Sequence, residues 1–156
     1  MPEDSVFKKV LVCLDGSSLA EQILPYAADI ALRCGSKVVL LQVVDMPGAM
    51  YTPGQVIEKR GWKERIQRED NEADTYLENT ASQLREKGLD VETMALEGTG
   101  GETIVGYAQE NEIDLIAITT HARRNIGRLV FGSVADTILK RSGIPTLVLR
   151  PLDIKE

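Results

Sequence analysis

Histidine, cysteine and aromatic residues are all scarce in this chain. His121 is its only histidine, so no multi-histidine metal site can form, and a Ser-His-Asp relay would have that one imidazole to use. Two cysteines, Cys13 and Cys34, are too few for a disulfide scaffold or a cysteine-rich zinc site. Aromatics make up 4% of the chain, which argues against the stacking platforms of single-strand nucleic-acid binders. Basic residues are outnumbered, 18 Lys and Arg against 24 Asp and Glu, and a net charge of −6 is a poor match for a phosphate backbone. No apolar run approaches the roughly 18 residues of a membrane span. The opening MPEDSVFKKV has no apolar signal region. The expectation is a cytoplasmic protein with neither nucleic acid nor membrane as partner.

What is present is one domain's worth of chain, residues 1–156, with hydrophobic residues at 43%. Short apolar runs mark strands at Lys9–Leu14, Lys37–Val44, Val91–Leu96, Asp114–Thr119 and Pro145–Leu149. Between them lie helical patterns. Ser18 and Glu21 have capping-box spacing ahead of an apolar stripe over Ala20, Ile23, Leu24, Ala27, Ala28 and Ala31, which Gly35 ends. A charged stretch from about Ile57 to Lys87 carries a narrow stripe of Trp62, Ile66, Ala73, Leu77, Ala81 and Leu84, its charges reading as a solvated face. A short helix with Ile104, Val105 and Ala108 inward runs to about Asn111. Ser133, three residues before Asp136, is placed to cap the last helix. The loop Asp45–Gln55, with two prolines and two glycines, is long for a connection. Continuous apolar strands alternating with helices predict an α/β fold: a doubly wound, five-stranded parallel sheet with helices on both faces.

In such a sheet ligands bind beyond the carboxyl ends of the strands. The first strand ends in Asp15-Gly16-Ser17-Ser18, without the G-x-G-x-x-G of a dinucleotide fold, and no Walker A loop occurs. Gly98-Thr99-Gly100-Gly101 lacks the lysine of a phosphate loop and reads better as a flexible lead-in to a helix. The fourth strand runs into Thr119 to Val134, TTHARRNIGRLVFGSV. Gly132-Ser133-Val134 stands at a helix start, where unpaired N–H groups and the macrodipole favour an anion. Arg123, Arg124 and Arg128 put local positive charge beside it. Two readings stay open. Ser133 is a plain cap and the arginines solvated, or the segment holds a polyphosphate. His121 is either a loop-fixing side chain or a phosphate donor. Asp15 is either a helix-start charge or a ligand contact, with a role beside a divalent ion. Cys13 and Cys34 read as small buried hydrophobes on different parts of the fold.

VLVCLDGSS, LLQVVD, SGIPTLVLRP and the Thr119–Ser133 segment together resemble the universal stress protein family over nearly the whole chain. Nucleotide-binding members carry Gly, two residues, Gly, nine residues, Gly-Ser/Thr. Here the corresponding positions are Thr119, Ala122, Gly132 and Ser133. The resemblance implies strand order 3-2-1-4-5 and a homodimer formed through the last strand, Pro145 to Arg150. It implies ATP or another adenine nucleotide across the strand ends, with Mg²⁺ or Mn²⁺. It also implies a stress-response or regulatory module with at most weak ATP hydrolysis and no catalytic residues. Asp15 would face the nucleotide, and Val43 would meet adenine through its backbone. His121, Ala122 and Arg123 would lie in the phosphate loop, with Gly132, Ser133 and Val134 at the phosphates. Thr119 and Ala122 replace the pattern's first two glycines. Ala122 penalises a positive φ. Thr119 either crowds the ribose or adenine or donates its hydroxyl to the sugar. An interaction module without nucleotide and a slow ATPase using His121 and Asp15 are the competing readings.

Overall fold

The computed structural model describes residues 4–45, 59–120 and 132–152. Five strands, β1 (Lys9–Leu14), β2 (Lys37–Asp45), β3 (Asp90–Gly98), β4 (Leu115–Thr119) and β5 (Thr146–Leu149), form one parallel sheet in the order 3-2-1-4-5. The helices are α1 (Leu24–Cys34), α2 (Lys59–Glu86), α3 (Gly100–Glu110) and α4 (Ser133–Arg141). The predicted fold class and order hold. The long loop after β2 and the basic segment His121–Phe131 lie outside the described residues, as do the side chains of Trp62 and Ile66.

Successive side chains of a strand point to opposite faces, so an unbroken apolar run needs cover on both. In β1, Val10, Val12 and Leu14 face a layer with Ile23, Ala27, Ala31, Leu77, Ala81 and Leu84, from α1, α2 and the turn before α1. Leu11 and Cys13 face a second layer with Ile104, Ala108, Ala135 and Ile138, from α3 and α4. Each such Leu, Ile or Val, taken out of water, contributes about 1.5–3 kcal/mol. Among the described side chains of α2, Ala73, Leu77, Ala81 and Leu84 of its stripe are buried.

At the amino ends of the strands, polar staples set the register. One Asp114 carboxylate oxygen accepts the N–H groups of Lys8 and Lys9, at 3.0 and 2.9 Å, tying β4 to β1. Lys37 pairs with Glu92 at 2.5 Å between β2 and β3. That contact holds the Glu92 carboxyl below and the Lys37 ammonium above their ordinary values. Both groups are exposed, so the pair adds little to stability.

Three local readings need correction. The segment before α1 is a 3-10 helix, Ala20–Ile23, and the side chain that serves its start is Ser17, not Ser18. Ser17 Oγ accepts the Ala20 N–H at 3.1 Å. In α4 the N-cap is Gly132, and Ser133 is the first helical residue. Gly98 to Gly101 is no slack lead-in: a Cβ on Gly98 would meet Thr103 Oγ1 at 2.2 Å, one on Gly100 would meet Val134 Cγ2 at 3.0 Å, and one on Gly101 would meet Thr137 Cβ at 2.6 Å. Gly98 lets the chain turn close against Thr103, and Gly100 and Gly101 let the start of α3 touch α4.

Close packing at that crossing separates two glycines of one helix. Gly101→Ala is expected to destabilise the protein by about 1–3 kcal/mol through overpacking. Gly106→Ala, where an added Cβ meets nothing within 4 Å, is expected to stabilise it by about 0.4–1 kcal/mol. Urea unfolding of both variants checks the contrast.

Candidate functional site

Strand order reverses at β1, whose chain neighbours depart in opposite directions: β2 and β3 to one side, β4 and β5 to the other. The connections leaving β1 and β4 therefore part, and a cleft of about 270 Å³ opens between their carboxyl ends. Its floor is the end of β1, β2 and β4: Cys13, Leu14, Leu41, Val43, Ile118 and Thr119. Asp15 and Ala20 form one wall, Gly100 and Ile104 of α3 another, and Gly132 to Ala135 of α4 the third. Of the residues expected from sequence, Asp15, Val43, Thr119, Gly132, Ser133 and Val134 are brought together here. His121, Ala122 and Arg123, with Arg124 and Arg128, lie outside the described residues.

The start of α4 is built for close approach. Gly132 has φ 73° and ψ 154°, a conformation essentially reserved for glycine. The first bond of the helical ladder is Asp136 N–H to Gly132 C=O at 3.0 Å. The amides of Ser133, Val134 and Ala135 thus precede the ladder, at the positive end of the helix dipole. Asp136, the acid of that first turn, is paired with Lys140 at 2.9 Å.

Across the cleft, Asp15 Oδ1 accepts the Ser17 N–H at 2.8 Å and the Ser17 hydroxyl at 2.6 Å. This Asx turn presents an exposed carboxylate at the mouth. Thr119 is buried and its hydroxyl donates to the Ala20 carbonyl at 3.0 Å. Of the two outcomes its sequence position left open, donation to a sugar is therefore unavailable while this bond stands. At 4% exposure, the side chain also protrudes little into the cleft. Cys13 is buried, and burial pushes its thiol up to about 12, so it stays protonated and is no nucleophile. Cys34, on α1, is half-buried, and both cysteines are free.

Sequence reasoning passed over Ala20, Gly100, Ile104 and Thr120 as cleft residues. Gly100 sat in a glycine cluster read as a linker, and its signal was only that glycine beside a helix start permits close approach. Thr120 lay within the strand-end segment Thr119 to Val134 but was not named, and Ala20 and Ile104 carried no signal, because their places depend on which elements pack against one another. A second hollow of about 550 Å³ lies on the α2 side of the sheet, with Asp15, Gln42, Glu69, Glu72 and Tyr76 among its walls. Burial and the nearby charge of Glu21 push the Tyr76 phenol up to about 12. No helix among the described residues is long and apolar enough to cross a membrane.

The pattern of the universal stress protein family matches residues 7–150. The chain belongs to this family. It is similar to universal stress protein MJ0531 of Methanocaldococcus jannaschii, 27% identical over 94% of this chain and 84% of the relative. It is also similar in structure to MJ0577 of the same organism, with a TM-score of 0.81 and 25% identity over 96% of this chain and all of that one. A universal stress protein solved in complex with cAMP has a TM-score of 0.67 and 21% identity, covering 95% of this chain and all of that one.

The Thr119 contact makes a measurable claim. Thr119→Val keeps the shape but leaves the buried Ala20 carbonyl without its donor, and is expected to cost about 1–3 kcal/mol. Thr119→Ser, which keeps the hydroxyl, should retain most of that. Urea denaturation of the two variants measures the difference.

Proposed function

We propose that this universal stress protein is a cytoplasmic, homodimeric stress-response or regulatory module that binds ATP or another adenine nucleotide. The observation that carries the proposal is the convergence, on one cleft, of the uncommitted first amides of α4 with the floor residue Val43 and the carboxylate of Asp15. About 270 Å³ lies at the lower end of ligand clefts, a depth suited to the base and sugar, with the phosphates at the rim along α4. In this reading the Val43 backbone meets adenine, and Gly132, Ser133 and Val134 hold the phosphates. Asp15 faces the ribose or a phosphate-borne Mg²⁺ or Mn²⁺, and His121, Ala122 and Arg123 close the phosphate loop. The cAMP complex of a relative supports the nucleotide class. Affinity then comes from backbone dipoles, and in this reading ATP hydrolysis is at most weak.

Thr119 supports a second reading, an interaction module of the same fold without nucleotide. It puts a β-branched residue, hydrogen-bonded to Ala20, where the nucleotide-binding pattern has glycine. Calorimetric titration with ATP and AMP separates the two, and absence of heat with both overturns the first reading.

Gly132→Val would strain a positive φ as well as block a ligand, so a cleaner variant is Ser133→Pro. Proline is well tolerated at the first helical position and deletes only one N–H. It is expected to weaken ATP binding about tenfold or more, given the strength of hydrogen bonds to charged groups, with helix content by circular dichroism unchanged.

The dimer rests on β5. It is an edge strand with Thr146, Leu147, Val148 and Leu149 only half-buried, and an open apolar edge invites pairing with a second copy. Sedimentation is expected to give twice the 17.2 kDa chain mass. A concentration-independent monomer would refute it.

A further inference from the structure

The wall of the cleft that carries Ala20 is a four-residue 3-10 helix, an element with poor internal hydrogen-bond geometry. Within the segment its support is local: Ser17 Oγ takes the Ala20 N–H at 3.1 Å, and Gln22 N–H reaches Leu19 C=O at 3.2 Å. From β4, Thr119 bonds the Ala20 carbonyl. A further anchor comes from the chain that follows β5. Thr120 N–H donates to Leu149 C=O at 2.8 Å, extending the β4–β5 ladder to its end. Three residues on, beyond Arg150 and the donor-less Pro151, the main chain of Leu152 meets the side chain of Gln22. Gln22 Nε2 donates to Leu152 C=O at 2.9 Å, and Leu152 N–H donates to Gln22 Oε1 at 3.0 Å.

This reciprocal pair has the form of a rung between two strands, with a primary amide replacing one backbone. Only Asn and Gln carry a donor and an acceptor in one fixed plane that can read both groups of a residue at once. Gln22 does not line the cleft, and its partner lies 130 residues away in sequence. The contact therefore joins the last described part of the chain to the 3-10 wall of the site.

We infer that Gln22 is a positioning residue. Its amide straps the segment after β5 to the 3-10 helix and holds Ala20 in register with Thr119, so that affinity at the cleft depends on a contact no ligand touches. The inference rests on the nucleotide reading for its binding arm only. Calorimetry with ATP on the full chain compares Gln22→Leu, Leu152→Pro and the double variant, and Gln22→Glu keeps the side-chain length while losing the donor.

Each single variant is expected to bind ATP about three- to tenfold more weakly, as for one or two exposed hydrogen bonds. The double variant should match Gln22→Leu, which already removes both bonds, whereas Leu152→Pro removes only the one made by the Leu152 N–H. Gln22→Glu, which keeps the acceptor for the Leu152 N–H but loses the donor, should fall between wild type and Gln22→Leu, whereas a side chain that merely packs would leave it near wild type. Amide hydrogen exchange gives an arm independent of any ligand, in which Ala20 and Gln22 should lose protection in all the variants while β1 and β4 keep theirs. Unchanged affinity in both singles, additive losses in the double, or unchanged exchange at Ala20 and Gln22 overturns the strap. If the wild-type chain binds no ATP, the nucleotide reading fails and the exchange arm still decides the strap.

Discussion

β1 is hydrogen-bonded on both sides, to β2 through Lys9–Leu14 and to β4 through Val10–Cys13, and is buried on both faces. β2 and β4 are likewise paired on both sides, but β1 is the strand at which the order reverses. Its pairing with two strands whose connections leave on opposite sides forces the chain to part above its carboxyl end. The cleft is the gap so produced. Its floor is apolar because the strands beneath must be apolar to carry two helical layers, and its rim is polar because the turns there meet water.

The two layers contribute unequally to that rim. On one face α3 and α4 touch through their first turns, where Gly100 and Gly101 remove the Cβ atoms that would keep them apart. The contact sets the start of α4 beside the sheet, so its leading amides open on the cleft rather than on bulk water. On the other face the wall is the 3-10 segment before α1, where side chains add to a short backbone ladder: Ser17, Thr119 and Gln22 each supply a further bond. A rigid helix start thus faces a wall assembled from single hydrogen bonds.

Much of this was legible in the residues. The five apolar runs located every strand, with ends shifted by no more than two residues. Gly35 ends α1 with φ 65° as its position suggested, and of the expected stripes Ala20, Ile23, Ala27, Ala28, Ala31, Ala73, Leu77, Ala81, Leu84, Ile104, Val105 and Ala108 are buried, Leu24 is partly so, and Trp62 and Ile66 lie outside the described side chains. Asp15, Val43, Thr119, Gly132, Ser133 and Val134 were placed at one site by topology and family pattern, since a parallel sheet delivers every strand end to the same side. Capping was read less well. Ser18 and Ser133 have the right spacing, yet Ser17 and Gly132 occupy the decisive positions, because several hydroxyls near a helix start compete and the backbone turn selects among them.

The sequence by itself determined the class of fold, the strand order expected of its family, and the chemistry on offer: few titratable groups, no metal-binding histidine cluster, and a helix start bearing glycine and serine. Those properties follow from composition and period, which are local. Only the tertiary structure decided that Thr119 spends its hydroxyl on Ala20, that the Gly98–Gly101 cluster serves a helix crossing, and that Gln22 reads the backbone of Leu152. Each of these is a contact between segments far apart in the chain. Its existence depends on distances of a few tenths of an ångström that no spacing along the chain encodes.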